Sequence, residues 1–176
     1  MLVYGTQGTP EENRELLERA RCDAEIWWYR GNGRAQLVPD IEYLRLRRTF
    51  CNAILYGNAD TNLVWKERID ASAPIQVRRG SLKLGEREWK GDGLVALAVY
   101  PSSEQGELFG LVGSTGAQGT RLSYTTAYFV SGVGYPDYTV FGPEVLQKGD
   151  GGVLATGWFD AQWKLDGHGF LRAEAK

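Results

Sequence analysis

Short apolar runs that each end in a glycine turn recur along the chain: LVYGT (Leu2 to Thr6), AILYGN (Ala53 to Asn58), FGLVGST (Phe109 to Thr115) and YTVFGPE (Tyr138 to Glu144). VYGTQGTP and LYGNADTN match closely enough to mark equivalent strand-to-helix corners. Continuous apolar segments are what parallel strands buried on both faces require, and each such strand needs a crossover. Four of these phrases predict a parallel sheet covered by helices. Ligands in that architecture meet the loops at the carboxyl ends of the strands. The candidate ligand or interface surface is therefore Gly5, Thr6, Gly8 and Thr9, then Gly57, Asn58, Asp60 and Thr61, then Gly113, Ser114, Thr115, Gly116 and Gly119.

Between these phrases the pattern changes period. Thr9-Pro10-Glu11-Glu12 combines an N-cap, a proline at the first helical position and a glutamate able to reach back to the cap amide. A helix is predicted from about Pro10 to Arg30, with Leu16, Leu17, Ala20, Ala24, Trp27 and Trp28 on one face and Gly31 and Gly33 as its stop. Ala35 to Val38 reads as a strand. Pro39 to Asn52 is a connection whose Arg45, Arg47 and Arg48 read as a solvated loop in preference to an anion clamp. Asp60 or Thr61 is placed to cap a shorter helix carrying Val64, Trp65 and Ile69, and Pro74 ends it. Ile75 to Arg79, Ser81 to Leu84 and Arg87 to Trp89, punctuated by glycines, form a hairpin excursion. Strands at 94–100 and 107–112, a helix from about Gln118 to Val130, strands at 138–141 and 153–159 and a short helical piece at 144–147 complete the prediction. The fold class is α/β: a three-layer sandwich with a mainly parallel, Rossmann or flavodoxin-like sheet and a small β-hairpin excursion. Residues 1–165 form one domain, and 166–176 a flexible tail.

Composition narrows the function more than it defines it. The 176 residues carry a net charge of -2, which gives no electrostatic footprint for nucleic acid or acidic lipid. No apolar run is long enough for a membrane span, and the first residues lack the pattern of a signal peptide. Because Leu2 to Tyr4 already read as a strand, the chain looks like a piece excised from a larger protein. Cys22 and Cys51 stand alone without metal-ligand spacing, so no metal or cofactor is expected; two free thiols are preferred to a disulfide.

Two constellations could carry chemistry. Gly113 to Gly119 spells G-x-x-G-x-x-G after a predicted strand, the spacing of a dinucleotide loop, but it follows a late strand and lacks a ribose-binding acid about twenty residues on. Ser114, Asp137 and His168 occur in the order of an α/β-hydrolase triad, yet Val112 stands where the nucleophile elbow needs glycine, and the single histidine lies in the tail. Glu11 and Glu12 are explained by capping. The many tryptophans and tyrosines suit core packing or docking on a neighbouring domain better than sugar stacking, with Tyr29 and Ile26 on the outer side of the first helix.

Taken as a set, VYGTQGTPEEN, WYRGNG, ILYGNADTNLVW, VRRG, VGSTGAQGTRL, YFVSGVGYPD and GVLATGWF resemble the C-terminal region that follows the catalytic domain in large bacterial α/β-hydrolase proteins of the esterase and prolyl-oligopeptidase-like type. The resemblance spans Leu2 to Trp163. It implies that the nucleophile belongs to a separate, covalently linked hydrolase domain, that no catalytic residue carries over onto this chain, and that the parents are extracytoplasmic. The expected function is a non-catalytic accessory domain that packs against or shapes the substrate cleft of that hydrolase. The alternatives are a small serine esterase using Ser114 and a nucleotide-binding module using the Gly113 to Gly119 loop.

Overall fold

The computed structural model describes residues 1–46, 52–103, 106–128 and 134–171. Among these residues eleven strands form two sheets: β1 (Leu2–Tyr4), β2 (Leu37–Pro39), β3 (Ala53–Gly57), β7 (Val95–Pro101), β8 (Leu108–Ser114), β9 (Tyr138–Phe141), β10 (Val153–Gly157) and β11 (Phe170–Leu171) in the large sheet, and β4 (Ile75–Arg78), β5 (Ser81–Leu84) and β6 (Arg87–Lys90) in the small one. The helices are α1 (Pro10–Gly31), α2 (Asp40–Tyr43), α3 (Leu63–Arg68), α4 (Ala117–Leu122) and α5 (Val145–Lys148). The chain is an α/β protein.

The large sheet has the order β11-β10-β9-β7-β8-β3-β1-β2 and is mixed. β2, β1, β3 and β8 pair in parallel, in the registers Leu2↔Leu37, Leu2↔Ile54 and Leu55↔Leu111. From β8 outward every pairing is antiparallel. The β7–β8 pair is a hairpin, which needs no helical crossover, so the parallel block stops there. β9, the fourth apolar-glycine phrase, still runs in the same direction as β1, β3 and β8, but with reversed β7 between. The predicted excursion is the antiparallel sheet β4-β5-β6.

Alternation along the strands splits the core. Leu2, Tyr56, Val95, Leu97, Val112 and Phe141 pack with Leu16 and Ala20 of α1 and Leu122 of α4. Val3, Leu55, Ala96, Leu111 and Val140 pack with Val64 and Trp65 of α3 and with Ile75, Val77, Leu82 and Leu84 of the small sheet. α1 begins as predicted, with Thr9 accepting from Glu12 N while Glu12 accepts from Thr9 N. Its C-cap Asn32 adopts a left-handed conformation (φ 48°). Trp27 folds back over Gly33, where an added Cβ would stand 2.1 Å from the indole nitrogen.

Three predicted elements differ. The cap of α3 is Asn62, not Asp60 or Thr61: its Oδ1 accepts from Val64 N and Trp65 N. The helix expected over 118–130 ends at Leu122 and continues only as a short tight turn, Ser123–Thr125. The hydroxyls of Ser123, Thr125 and Thr126 bond the carbonyls of Thr120, Leu122 and Ser123, competing with the helical ladder. Val130 lies outside the described residues, as do Arg47, Arg48 and Cys51. The tail expected from Asp166 contributes a short strand, since Phe170 and Leu171 pair with Thr156 and Ala155.

The face that α1 lays on the sheet is less apolar than its sequence pattern suggests. Arg19 and Asp23 are each 2% exposed, whereas Trp28 of the predicted apolar stripe is 67% exposed. One turn apart, the buried pair neutralises itself: Arg19 Nη1 donates to Asp23 Oδ1 at 2.5 Å and Nε to Ser123 Oγ at 2.9 Å. Asp23 Oδ2 accepts from Tyr56 Oη at 2.8 Å and from Tyr128 Oη, and the guanidinium lies against the rings of Tyr124 and Tyr128. Burial pushes both tyrosines, Tyr56 and Tyr128, well above their ordinary pKa, so their hydroxyls stay protonated donors. Asp23→Ala is expected to lower the unfolding free energy by about 3–5 kcal/mol, because Arg19 is left buried without its counter-charge. Tyr56→Phe, which removes the hydroxyl that donates to Asp23 and accepts a long bond from Tyr128 but leaves the ion pair intact, is expected to cost less, ~1–2 kcal/mol. Urea denaturation of the two variants checks the ranking.

Candidate functional site

The strand order changes direction between β1 and β3: from β1 the chain moves outward to β2, then returns to the other side for β3. In a parallel α/β sheet the crevice at that switch, at the carboxyl ends of the strands, is where a ligand is held. All three predicted glycine corners gather along this edge, following β1, β3 and β8. The candidate residues thus lie along one edge of the sheet, most of them buried there.

The crevice itself is filled by the chain. Thr61 carbonyl oxygen lies where a Cβ on Gly5 would come within 2.3 Å of it, and a Cβ on Gly57, whose φ is +122°, would stand 2.6 Å from Thr61 Oγ1. Gln7 N donates to that same Thr61 carbonyl at 2.9 Å. Asn62 reaches under the corner, its Nδ2 donating to Val3 O at 3.2 Å and to Tyr56 O at 3.0 Å. Thr6 Oγ1 donates to Asp40 Oδ1 at 2.6 Å, and Asp40, fully buried, also accepts from Ile41 N and Leu63 N. Gly8 N is bonded to Asn13 Oδ1 and Thr9 N to Glu12.

The third corner is tied to the second in the same way. Asn58 Nδ2 donates to Ser114 O at 2.8 Å, and Asn58 N to Thr61 Oγ1 at 2.9 Å. Ser114 is 3% exposed, with its Oγ 2.7 Å from Thr120 Oγ1; Thr115 is fully buried and its Oγ1 accepts from Leu94 N. The glycines of this loop serve packing: a Cβ on Gly113 would meet Trp65 and Val77 at 3.0 Å, on Gly116 Asp92 at 3.0 Å, and on Gly119 the Leu94 carbonyl at 2.4 Å. Those close approaches are made within the chain.

Asp60 is exposed at the rim, whereas Glu12 is buried. Arg79 grips Glu12 through two contacts of 3.0 Å, while Asp60 accepts from Arg78 Nη1 at 2.7 Å and from Arg79 N at 2.9 Å. Gly80 N adds a bond to Thr115 O, so the turn of the small sheet is pinned across the corners. Burial alone would raise the Glu12 pKa, but the Arg79 guanidinium and the Thr9 amide and hydroxyl outweigh it and hold the carboxyl below its ordinary value. At Asp60 burial is likewise outweighed, by the Arg79 amide and the Arg78 guanidinium. Asp40, Asn62, Arg78 and Arg79 were missed as members of this cluster. The clues were the asparagine immediately ahead of the LVW run and the VRRG turn.

The remaining constellation is not assembled. Asp137 precedes β9 at the opposite end of the strands from Ser114, with its carbonyl on Val99 N and its Oδ2 on Phe159 N. Ser114 pairs with Val95, so the two are separated by ~13 Å along the strand direction alone. His168 lies in the turn before β11, at Asp137's end of the sheet, its amide bonded to Asp166. Cys22 is a half-buried free thiol, its pKa pushed up by burial. Among the described residues no cluster of three or more His, Cys, Asp or Glu could hold a metal ion, and no helix is long and apolar enough to cross a membrane. No family model matches the chain, and neither a curated protein nor a solved structure matches it.

Two outcomes test the edge. A carboxylate whose folded pKa lies below its unfolded value stabilises fully above the unfolded value, and that stabilisation is lost as pH falls through the folded one. The stability advantage of the wild type over Arg79→Gln is thus expected to be complete at neutral pH and to shrink as pH drops below the ordinary 4.5 of Glu12, read by denaturation at a series of pH values. Gly5→Ala, which drives a methyl into the Thr61 carbonyl, is expected to cost ~1–3 kcal/mol or more, whereas Gly80→Ala, with open space around it, meets only the strain of its φ of +71°.

Proposed function

We propose that this chain is a non-catalytic accessory α/β domain of a multidomain hydrolase of the esterase or peptidase-like type, covalently linked to the catalytic domain and contributing packing or the shaping of its substrate cleft. The observation that carries the non-catalytic half is the filled crevice: Gly5, Gly57, Thr61 and Asn62 occupy the position where the fold would hold a ligand. The three-layer, Rossmann-like description belongs to this reading, with α1 and α4 as one outer layer and α3 with the small sheet as the other. Support for a docking role comes from the exposed large apolar residues Trp27, Trp28, Tyr29, Tyr135 and Trp158. The hydrolase and extracytoplasmic parts rest on the motif resemblance alone.

The purified chain is expected to give no turnover of a p-nitrophenyl ester and no thermal shift with mono- or dinucleotides. Ester turnover abolished by Ser114→Ala would overturn the proposal in favour of an esterase. The linked half is tested in the gene: an in-frame hydrolase domain with its own nucleophile elbow is expected upstream of Met1. Deleting the present domain from that parent is expected to lower its stability or alter its substrate range. A parent unchanged by the deletion removes the accessory role.

A further inference from the structure

The end of α1 holds a chemically reactive pair of residues, Asn32 and Gly33. Of the five asparagines in the chain, the other members are anchored by their side chains. Asn13 Nδ2 donates to Thr6 O and Gly8 O, and Asn52 Oδ1 accepts from Leu108 N. Asn58 and Asn62 are buried and donate to the carbonyls of Ser114, Val3 and Tyr56. Each of these asparagines is followed by a residue that carries a side chain. Asn32 is exposed and is followed by glycine, whose amide has no Cβ to hinder its turning onto the preceding side-chain amide.

The left-handed cap restrains that reaction. At the Asn32 dihedrals of φ 48° and ψ 30°, the amides of Asn32 and Gly33 both donate to the Trp27 carbonyl, Gly33 N at 3.3 Å. The Trp27 indole closes over Gly33 and leaves no room there even for a methyl. Attack by Gly33 N therefore requires its bond to Trp27 O to open first. The opening is local, because Trp28, Tyr29, Arg30 and Gly31 are all exposed and little packing holds the last turn.

We infer that Asn32 is a site of spontaneous deamidation, its rate set by opening of the last turn of α1 and slowed by the Trp27 indole over Gly33. In the opened turn Gly33 N bonds to Asn32 Cγ and gives up its proton to solvent. The Cγ–Nδ2 bond breaks, ammonia leaves, and a succinimide ring closes. Water then adds to either ring carbonyl and opens the ring to aspartate or to isoaspartate. Both products place a negative charge at the carboxyl end of α1, where the helix dipole disfavours it. Isoaspartate also inserts the side-chain methylene into the backbone, so the cap does not reform with both amides on Trp27 O. The reaction is independent of the accessory role.

Peptide mapping of the full chain, incubated at neutral to mildly alkaline pH, tests this. Cleavage after Glu25 and Asp40 releases residues 26–40 as one peptide. That peptide is expected to gain ~1 Da at Asn32 with time, faster at the higher pH, with isoaspartate the larger product. The chain unfolded in guanidinium is expected to react about tenfold faster or more, and Trp27→Ala in the folded chain about threefold faster or more than wild type. Trp27→Phe, which keeps a ring over Gly33, is expected to fall between wild type and Trp27→Ala. Circular dichroism under the incubation conditions separates a loosened helix end from a lost fold. Asn32 left intact in the folded chain while the unfolded chain is converted overturns the inference. So does an equal rate in the folded and unfolded chain, or a folded Trp27→Ala variant no faster than wild type.

Discussion

The carbonyl oxygen of Thr61 sits where any side chain on Gly5 would have to be, and the carboxyl edge of the sheet is organised around that contact. Gly5 and Gly57 let the loops after β1 and β3 close on each other at backbone distance. Asn62 then bridges the two strands with one amide and caps α3 with its oxygen. Once this pair of corners is shut, Asp40 has Thr6 and the start of α3 to bind, and Asn58 reaches Ser114. Buried polar groups in such a position are costly unless satisfied, and those named here find partners within the chain. The same closure that stabilises the edge fills the space between the first two corners with the chain's own backbone.

Polar groups also join distant parts of the chain inside the core. Arg19 and Asp23 on α1 contact Ser123, Tyr124 and Tyr128 as well as Tyr56 on β3. Such a cluster is tolerated because the guanidinium and carboxylate are mutually paired and their remaining hydrogen-bonding positions are filled by side chains. It fixes the segment after α4 against the first helix where a longer helix would otherwise have lain. Below it, the face formed by Ile54, Val99 and Gly110 remains partly open beneath Tyr128 and Tyr135.

Much of the fold was legible in local chemistry. The Thr9 capping box, the glycine corners and the three short strands from Ile75 to Lys90 each carry their signal within a few residues, and each formed. The direction of β7 was not legible, because an apolar run such as VALAVY is compatible with either pairing and only the short connection to β8 settles it. The end of α4 depended on three hydroxyl side chains competing for carbonyls, a weak signal against an otherwise helical stretch. At the edge, the sequence marks the glycines but not the neighbours that require them. A glycine required by a neighbouring carbonyl and one required by a phosphate look the same in sequence; Arg79 on Glu12, far apart in the chain, could be seen only after folding.

The mixed sheet has a bearing on how the chain emerges during synthesis. β3 pairs with β1 on one side and with β8 on the other, and β8 is half of a hairpin with β7. Until Ser114 has left the ribosome, β3 has an unpaired edge, and Leu55 and Tyr56 lack the part of their packing that Leu111 and Val112 supply. The β7–β8 hairpin, by contrast, closes over a short loop as soon as it is made, so its entropic cost is small and early. The nascent amino-terminal half must therefore wait, with an open strand, for a template supplied by its own later sequence.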